Sequence, residues 1–124
     1  MAIARASGAD AFSAQDWLRE SYQLKEASLY EMIQINPAYR GISGPKDIRA
    51  RYITEDVPTG LVPMEAFGRI YDIPTPTISA LISIADSMIG TDFRASGRNL
   101  ERLGLEGLGP LEIPVFIKEG ARKA

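Results

Sequence analysis

Thr75-Pro76-Thr77-Ile78-Ser79-Ala80-Leu81-Ile82-Ser83-Ile84-Ala85-Asp86-Ser87-Met88-Ile89-Gly90 is the stretch whose reading decides the fold. Thr75 stands where a helix N-cap belongs, and Pro76 suits the first helical position, where its missing N–H has no partner to lose. Ile78, Leu81, Ile82, Ala85, Met88 and Ile89 recur at three and four residues and make a wide apolar face. Gly90 is the stop. The spacing predicts a helix at the centre of the domain, and its β-branched residues are tolerable because tertiary packing outweighs propensity.

Upstream, Met1 to Ser7 reads as the tail of a helix stopped by Gly8 and preceded by no cap. Ser13 and Asp16 approximate a capping box that opens a helix from Ala14 to about Tyr22. Ser28 caps the next one, with Leu29, Met32, Ile33 and Asn36 at helical spacing, and Asn36-Pro37 ends it. Tyr39 to Ala50 reads as a loop and Arg51 to Glu55 as extended or irregular. Asp56 then occupies an N-cap position, with Pro58 in the first turn of a helix through Leu61, Met64, Ala66 and Phe67 that Pro63 breaks or kinks. Downstream, Asn99 to Gly104 predicts a short helix. Leu111 to Ile117, with Pro114 inside it, fits a strand or an irregular arm. Helices joined by short Pro/Gly loops, without a pair of clear strands, predict one all-α domain.

The 124 residues suffice for one domain and its core, and 45% hydrophobic with 24% charged residues is a globular composition. Fourteen basic and 16 acidic residues, net −2, are spread without a basic stripe, so neither a nucleic-acid nor an anionic membrane surface is expected. Arg122 and Lys123 read as a solvated tail. The chain has no cysteine and no histidine, which removes thiolate chemistry, the commonest metal ligands and the commonest general base near neutral pH. Met1 to Asp10 does not read as a signal peptide, and Ile78 to Ile89 is too short to span a bilayer, leaving cytoplasmic as the default expectation.

Arg51-Tyr52-Ile53-Thr54-Glu55-Asp56-Val57-Pro58-Thr59-Gly60-Leu61-Val62-Pro63 resembles the signature of the opine (octopine/nopaline-type) dehydrogenase family. Ile73-Pro74-Thr75-Pro76-Thr77 and Gly97-Arg98-Asn99-Leu100-Glu101-Arg102-Leu103-Gly104-Leu105 resemble it too, as do Ser28 to Glu31 and Asn36 to Gly41. The matching segments run in family order from about Trp17 to Leu108, and the end from Gly109 onward does not match. The resemblance implies the helical C-terminal, substrate-side domain of a two-domain enzyme, similar to the helical domain of 6-phosphogluconate dehydrogenase-like enzymes. It implies condensation of an amino acid with a 2-oxo acid and reduction of the imine by NAD(P)H. The glycine fingerprint of a Rossmann domain is absent from the sequence. The histidine that serves the family as acid and base is absent as well.

By the same resemblance Asp56 matches the aspartate that partners the catalytic histidine, orienting the imidazole and stabilising its charged form. Its ordinary reading is a helix cap, and both roles are compatible. Arg51 matches an arginine that grips the substrate carboxylate, a task suited to a planar guanidinium; its ordinary reading is a surface pair with Glu55 or Asp56. Arg51 and Asp56 converge only if the chain between them turns. Tyr52 and Thr54 are further substrate-binding candidates, although tyrosine also packs half-buried. Glu55 and Asp56 are adjacent and point apart, which argues against a two-carboxylate site, and no metal site is expected. Trp17, Tyr22, Tyr30 and Phe67 read as packing residues.

The expectation is therefore that residues 1–124 form an opine dehydrogenase substrate domain, incomplete at its N-terminus and without its Rossmann domain. It would bind no NAD or NADP itself and have no turnover alone. An exposed domain surface predicts a homo-oligomer. The rival reading is a free-standing helical interaction or carboxylate-binding module without redox activity; a third has a separate subunit supplying nucleotide and histidine.

Overall fold

The computed structural model describes residues 1–120; the Arg122–Lys123 tail lies outside them. In chain order the elements are α1 (Ala2–Ala6), α2 (Ala14–Tyr22), α3 (Leu29–Ile35), a 3-10 turn (Pro37–Tyr39), α4 (Arg51–Thr54), a π turn (Val57–Leu61), α5 (Val62–Ile70), α6 (Pro76–Ile89), α7 (Phe93–Ser96) and α8 (Glu112–Glu119). No strand occurs among the described residues, so the fold is all-α.

The start signals act as the sequence implies. Ser13 and Asp16 form a reciprocal capping box on α2, and Ser28 and Glu31 form another on α3. In each box the serine hydroxyl holds the carboxyl below its ordinary value. Pro76 opens α6, though the Thr75 side chain makes no capping bond, and Gly90 closes it in the left-handed conformation at φ 74°.

The central core joins Val57 and Val62 to Ile82, Ala85 and Phe93, with Ile53, Leu61, Ile78 and Ile89 packed against them. The buried stripe of α6 is narrower than its apolar pattern. Leu81 and Met88 remain 47% and 50% exposed, because α5, the π turn and α7 all cover the side that carries Ile82 and Ala85. Leu81 and Met88 lie on the flank of that stripe, about 100° round from Ile82 and Ile89.

A charged cluster ties the same elements together. Arg94 on α7 donates from Nε and Nη2 to the two carboxylate oxygens of Glu65 on α5, each at 2.8 Å. Its Nη2 also reaches the Ser79 carbonyl of α6 at 3.1 Å, and Nη1 lies 3.4 Å from Asp86. Asp86 in turn accepts the Phe93 N–H at 2.9 Å. One guanidinium thus fixes three helices.

Four local readings are corrected. Arg51–Glu55 is not extended; it enters the helical α4, held by Ile53 on the core. Asp56 is not an N-cap; it has helical dihedrals (φ −69°, ψ −31°) and makes no side-chain cap, because the helical path runs through it into the π turn. Asn99–Gly104 makes a hydrogen-bonded turn rather than a helix, and the short helix instead lies at Phe93–Ser96, capped by Asp92 on the Ala95 N–H at 3.0 Å. Leu111–Ile117 is neither strand nor arm: Leu111 is the N-cap and Glu112–Ile117 the first turns of α8, where Pro114 is accommodated without loss of a helical bond.

The aromatic readings divide. Trp17 meets Tyr22 edge-on at 5.4 Å and Tyr22 meets Tyr39 at 6.0 Å, while Phe67 is half-buried. Tyr30 does not pack: it is 72% exposed on α3.

Glu65 is held at about 2, below its ordinary 4.5, chiefly by the Arg94 hydrogen bonds. Between those values the unfolded chain binds more protons, so stability is full above about pH 5 and declines as pH falls towards 2. Glu65→Gln is expected to flatten that decline. Arg94→Met leaves the Glu65 carboxylate buried without its partner and is expected to cost about 2–4 kcal/mol at neutral pH. Chemical denaturation at a series of pH values measures both.

Candidate functional site

Residues 51–63 build a helical rib along one side of the domain. α4 leads through Glu55, whose dihedrals (φ −109°, ψ −55°) depart from a regular helix, into the π turn and then α5. The Val62 N–H donates to the Val57 carbonyl, the wider spacing that defines the π turn. This leaves the Pro58 carbonyl without an intrahelical donor: Val62 has spent its N–H, and Pro63 has none. The Arg98 N–H takes that carbonyl at 2.8 Å. Gly97 allows the approach, since a Cβ there would lie 2.7 Å from the Pro58 oxygen and 2.6 Å from the Phe93 oxygen. Pro63 therefore does mark a break, which takes the form of a π turn braced from outside.

The rib displays the polar residues singled out above. Arg51, Tyr52, Thr54 and Asp56 are all exposed. Arg51 Nε lies 3.6 Å from Glu55, with the two side chains 75% and 56% exposed. Such an open pair contributes little and yields readily to a better carboxylate. Among the described residues, no hydrogen bond or ion pair joins Arg51 to Asp56, which lie about 140° apart on regular helix geometry. The structure thus pairs Arg51 with Glu55 and leaves Asp56 separate. Thr54 turns its hydroxyl back to the Arg49 and Ala50 carbonyls, both at 3.4 Å. Tyr52 projects from α4, 52% exposed.

Two cavities accompany the rib. One of about 550 Å³ lies where the π turn meets the loop after α7, lined by Pro58, Thr59, Ser96, Gly97, Arg98 and Arg102. Its arginines fall within a sequence segment quoted above, but no spacing rule connects them to Pro58 or Thr59, some forty residues earlier. The other, about 630 Å³, is lined by α1, α5, α6 and α8, with Met64, Phe67, Ile78 and Ile117 in its walls and Lys118 its sole charged side chain. Among the described residues no three acidic side chains gather to hold a metal ion, and no helix is long and apolar enough to cross a membrane.

An all-helical domain with an arginine- and aspartate-bearing rib is the class that these features define. The family model for the alpha-helical domain of NAD/NADP octopine/nopaline dehydrogenases matches residues 1–89. The chain belongs to that family. It is 50% identical over 108 residues to an opine dehydrogenase of Arthrobacter sp. (strain 1C), covering 87% of this chain and 30% of that protein. An opine dehydrogenase of Haliotis discus hannai is 33% identical over 90 residues, 62% of this chain and 22% of the relative. A tauropine dehydrogenase of Arabella iricolor is 29% identical over 83 residues, 59% of this chain and 21% of the relative. The chain thus spans less than a third of the length of these relatives.

Gly97→Ala forces a methyl group against two backbone carbonyls and is expected to destabilise the fold by about 1–3 kcal/mol. Hydrogen exchange should show the Arg98 amide, now displaced from Pro58, losing protection before the amides of α6.

Proposed function

We propose that this chain supplies the substrate side of an opine dehydrogenase, an enzyme that condenses an amino acid with a 2-oxo acid and reduces the imine at the expense of NADH or NADPH. The observation that carries this reading is the 50% identity, over 87% of the chain, to an enzyme of that name. The rib adds a physical argument. Arg51 holds its charge in an exposed pair that a substrate carboxylate can displace. Asp56 stands on a braced helical element with no capping duty. In this reading it accepts a hydrogen bond from the imidazole of a histidine supplied by another part of the enzyme, since these 124 residues contain none. Tyr52 and Thr54 flank the carboxylate-binding position as secondary contacts.

The residues present do not fit the nucleotide. No strand among the described residues can carry a glycine-rich turn, and α6, the longest helix, begins with Thr75-Pro76. The proposal therefore assigns NAD or NADP to a Rossmann-type domain elsewhere in the working enzyme, and places residues 1–124 as its substrate domain. Cytoplasmic location and homo-oligomeric assembly belong to the same proposal; exposed Leu81, Ile84 and Met88 on α6 offer an apolar surface for packing.

A chimera tests it: the 108 residues of this chain that match the Arthrobacter enzyme replace the corresponding segment there, and nucleotide oxidation is followed with amino acid and 2-oxo acid panels. Turnover is expected. Asp56→Asn should lower kcat by about a hundredfold or more, as loss of a base-orienting carboxylate does, while Arg51→Gln should act mainly on the KM of a carboxylate substrate. A folded chimera without turnover, or one indifferent to Asp56→Asn, overturns the reading.

A further inference from the structure

The cavity between α1, α5, α6 and α8 shares no residue with the rib and differs from it in chemistry. Its volume of about 630 Å³ falls within the range of roughly 300–1,000 Å³ in which proteins hold small molecules. Close-packed interiors leave few voids larger than a water. An apolar cavity of even about 150 Å³ takes up an apolar molecule in preference to water. The volume here is room for a ligand.

The cavity has a direction. Ile113 of α8 is 1% exposed at its inner end, while Ile117, about one turn further along the same helix, is 63% exposed at its outer end. Phe67 and Ile78, both half-buried, join Ile113 inside, and Met64 joins Ile117 at the mouth. Lys118 follows Ile117 and is exposed, so its ammonium reaches the mouth on an apolar stem. Among the described residues no acidic side chain lines the cavity, and Ser7 spends its hydroxyl proton on the Ala4 carbonyl at 2.8 Å. A cationic ligand finds no counter-charge there, whereas an alkyl chain finds apolar walls and an anion finds Lys118.

The helix α1 points the same way by a separate observation. Ile3 and Ala4 line the cavity, yet none of the helix's five residues is buried, although α1 lies against α5. Isolated helices shorter than about 12–15 residues are marginal in water, so α1 relies on what it packs against. Beneath it the cavity takes the place of that packing. A molecule that fills the cavity supplies the missing contact, so binding and the ordering of α1 are coupled.

We infer that this cavity binds a medium-chain fatty acid, its tail directed towards Phe67, Ile78 and Ile113 and its carboxylate at the mouth beside Lys118. The apolar depth selects the chain, and charge complementarity selects the anionic head. Amino acids and short 2-oxo acids bury too little apolar surface to be held here, so the ligand class is distinct from that proposed for the rib. The site is defined by binding alone and does not depend on the dehydrogenase reading.

Titration of the 124-residue chain with hexanoate, octanoate, decanoate and decanol, below micelle-forming concentrations and followed by calorimetry and amide NMR, tests the inference. Affinity is expected to rise along the three acids, by up to about fourfold for each methylene that is fully buried. Decanoate should bind about fivefold more tightly than decanol, the contribution of one partly exposed charge pair. Shifts should centre on Phe67, Ile78 and Ile113, and the Arg5, Ser7 and Ala9 amides that close α1 should exchange more slowly at saturating decanoate. Lys118→Glu should erase the advantage of decanoate over decanol, while Lys25→Glu, on exposed surface away from the cavity, should leave it unchanged. Ala4→Phe places a ring in the cavity and should abolish binding of both; circular dichroism checks that each variant folds. Absence of saturable decanoate binding, affinity indifferent to chain length, or decanol binding as tightly as decanoate overturns the inference. So do shifts centred on Leu81, Ile84 and Met88, or undiminished binding to Ala4→Phe.

Discussion

Glu65 and Arg94 meet through two parallel hydrogen bonds of 2.8 Å, and three helices are positioned by what that contact demands. Glu65 belongs to α5, a helix otherwise buried through Val62, Ala66 and Gly68. A carboxylate there is costly to bury alone. Arg94 answers it from α7 and spends its remaining donors on Ser79 and Asp86 of α6, so that the charge is distributed rather than stranded. Asp86 then accepts the Phe93 N–H, which seats Phe93 in the apolar cluster beside Ile82 and Ala85. The polar and apolar cores are thus one assembly, and neither is placed without the other. Hydrophobic burial drives the collapse, while the bidentate pair selects which helix faces meet.

The rib depends on that assembly. α7 leads into Gly97 and Arg98, so the helix that carries Arg94 also delivers the backbone donor that satisfies Pro58. A π turn is a poor structure in isolation, because it widens the helix and frees a carbonyl. Here the freed carbonyl is what binds the distant loop, and Pro63 ensures that no intrahelical donor competes for it. The exposed Arg51, Tyr52 and Asp56 consequently project from an element anchored on both sides, by Ile53 and Val57 in the core and by Arg98 outside it.

Legibility followed the range of the interactions. Ser13 with Asp16 and Ser28 with Glu31 close over three residues, and α2 and α3 begin where those pairs stand in the sequence. Pro76 and Gly90 frame α6 for the same reason. Arg51–Glu55 was harder: its short α4 is held by Ile53 against a core drawn from α6 and α7, and nothing local announces that support. Asp56 has the composition of a cap and the dihedrals of a helix interior, since the preceding residues were already helical. At the end of the chain, Pro114 reads as an obstacle to a helix until α8 is seen to begin at Glu112, which puts the proline in the first turn.

What the amino-acid sequence determined by itself was the helical class, the α2, α3 and α6 boundaries and the family, because caps, proline stops, periodicity and a contiguous signature all lie within a few residues of one another. The exclusion of thiolate and histidine chemistry from these 124 residues came from composition in the same way. Only the tertiary structure decided that Glu65 pairs with Arg94, that Leu81 and Met88 lie outside the buried stripe, and that Arg51 sits with Glu55 apart from Asp56. It alone brought Thr59 beside Arg98 and Arg102. Each of these is a contact between segments whose spacing in the sequence carries no information about their distance, and it exists because packing, hydrogen-bond satisfaction and charge pairing are resolved together in three dimensions.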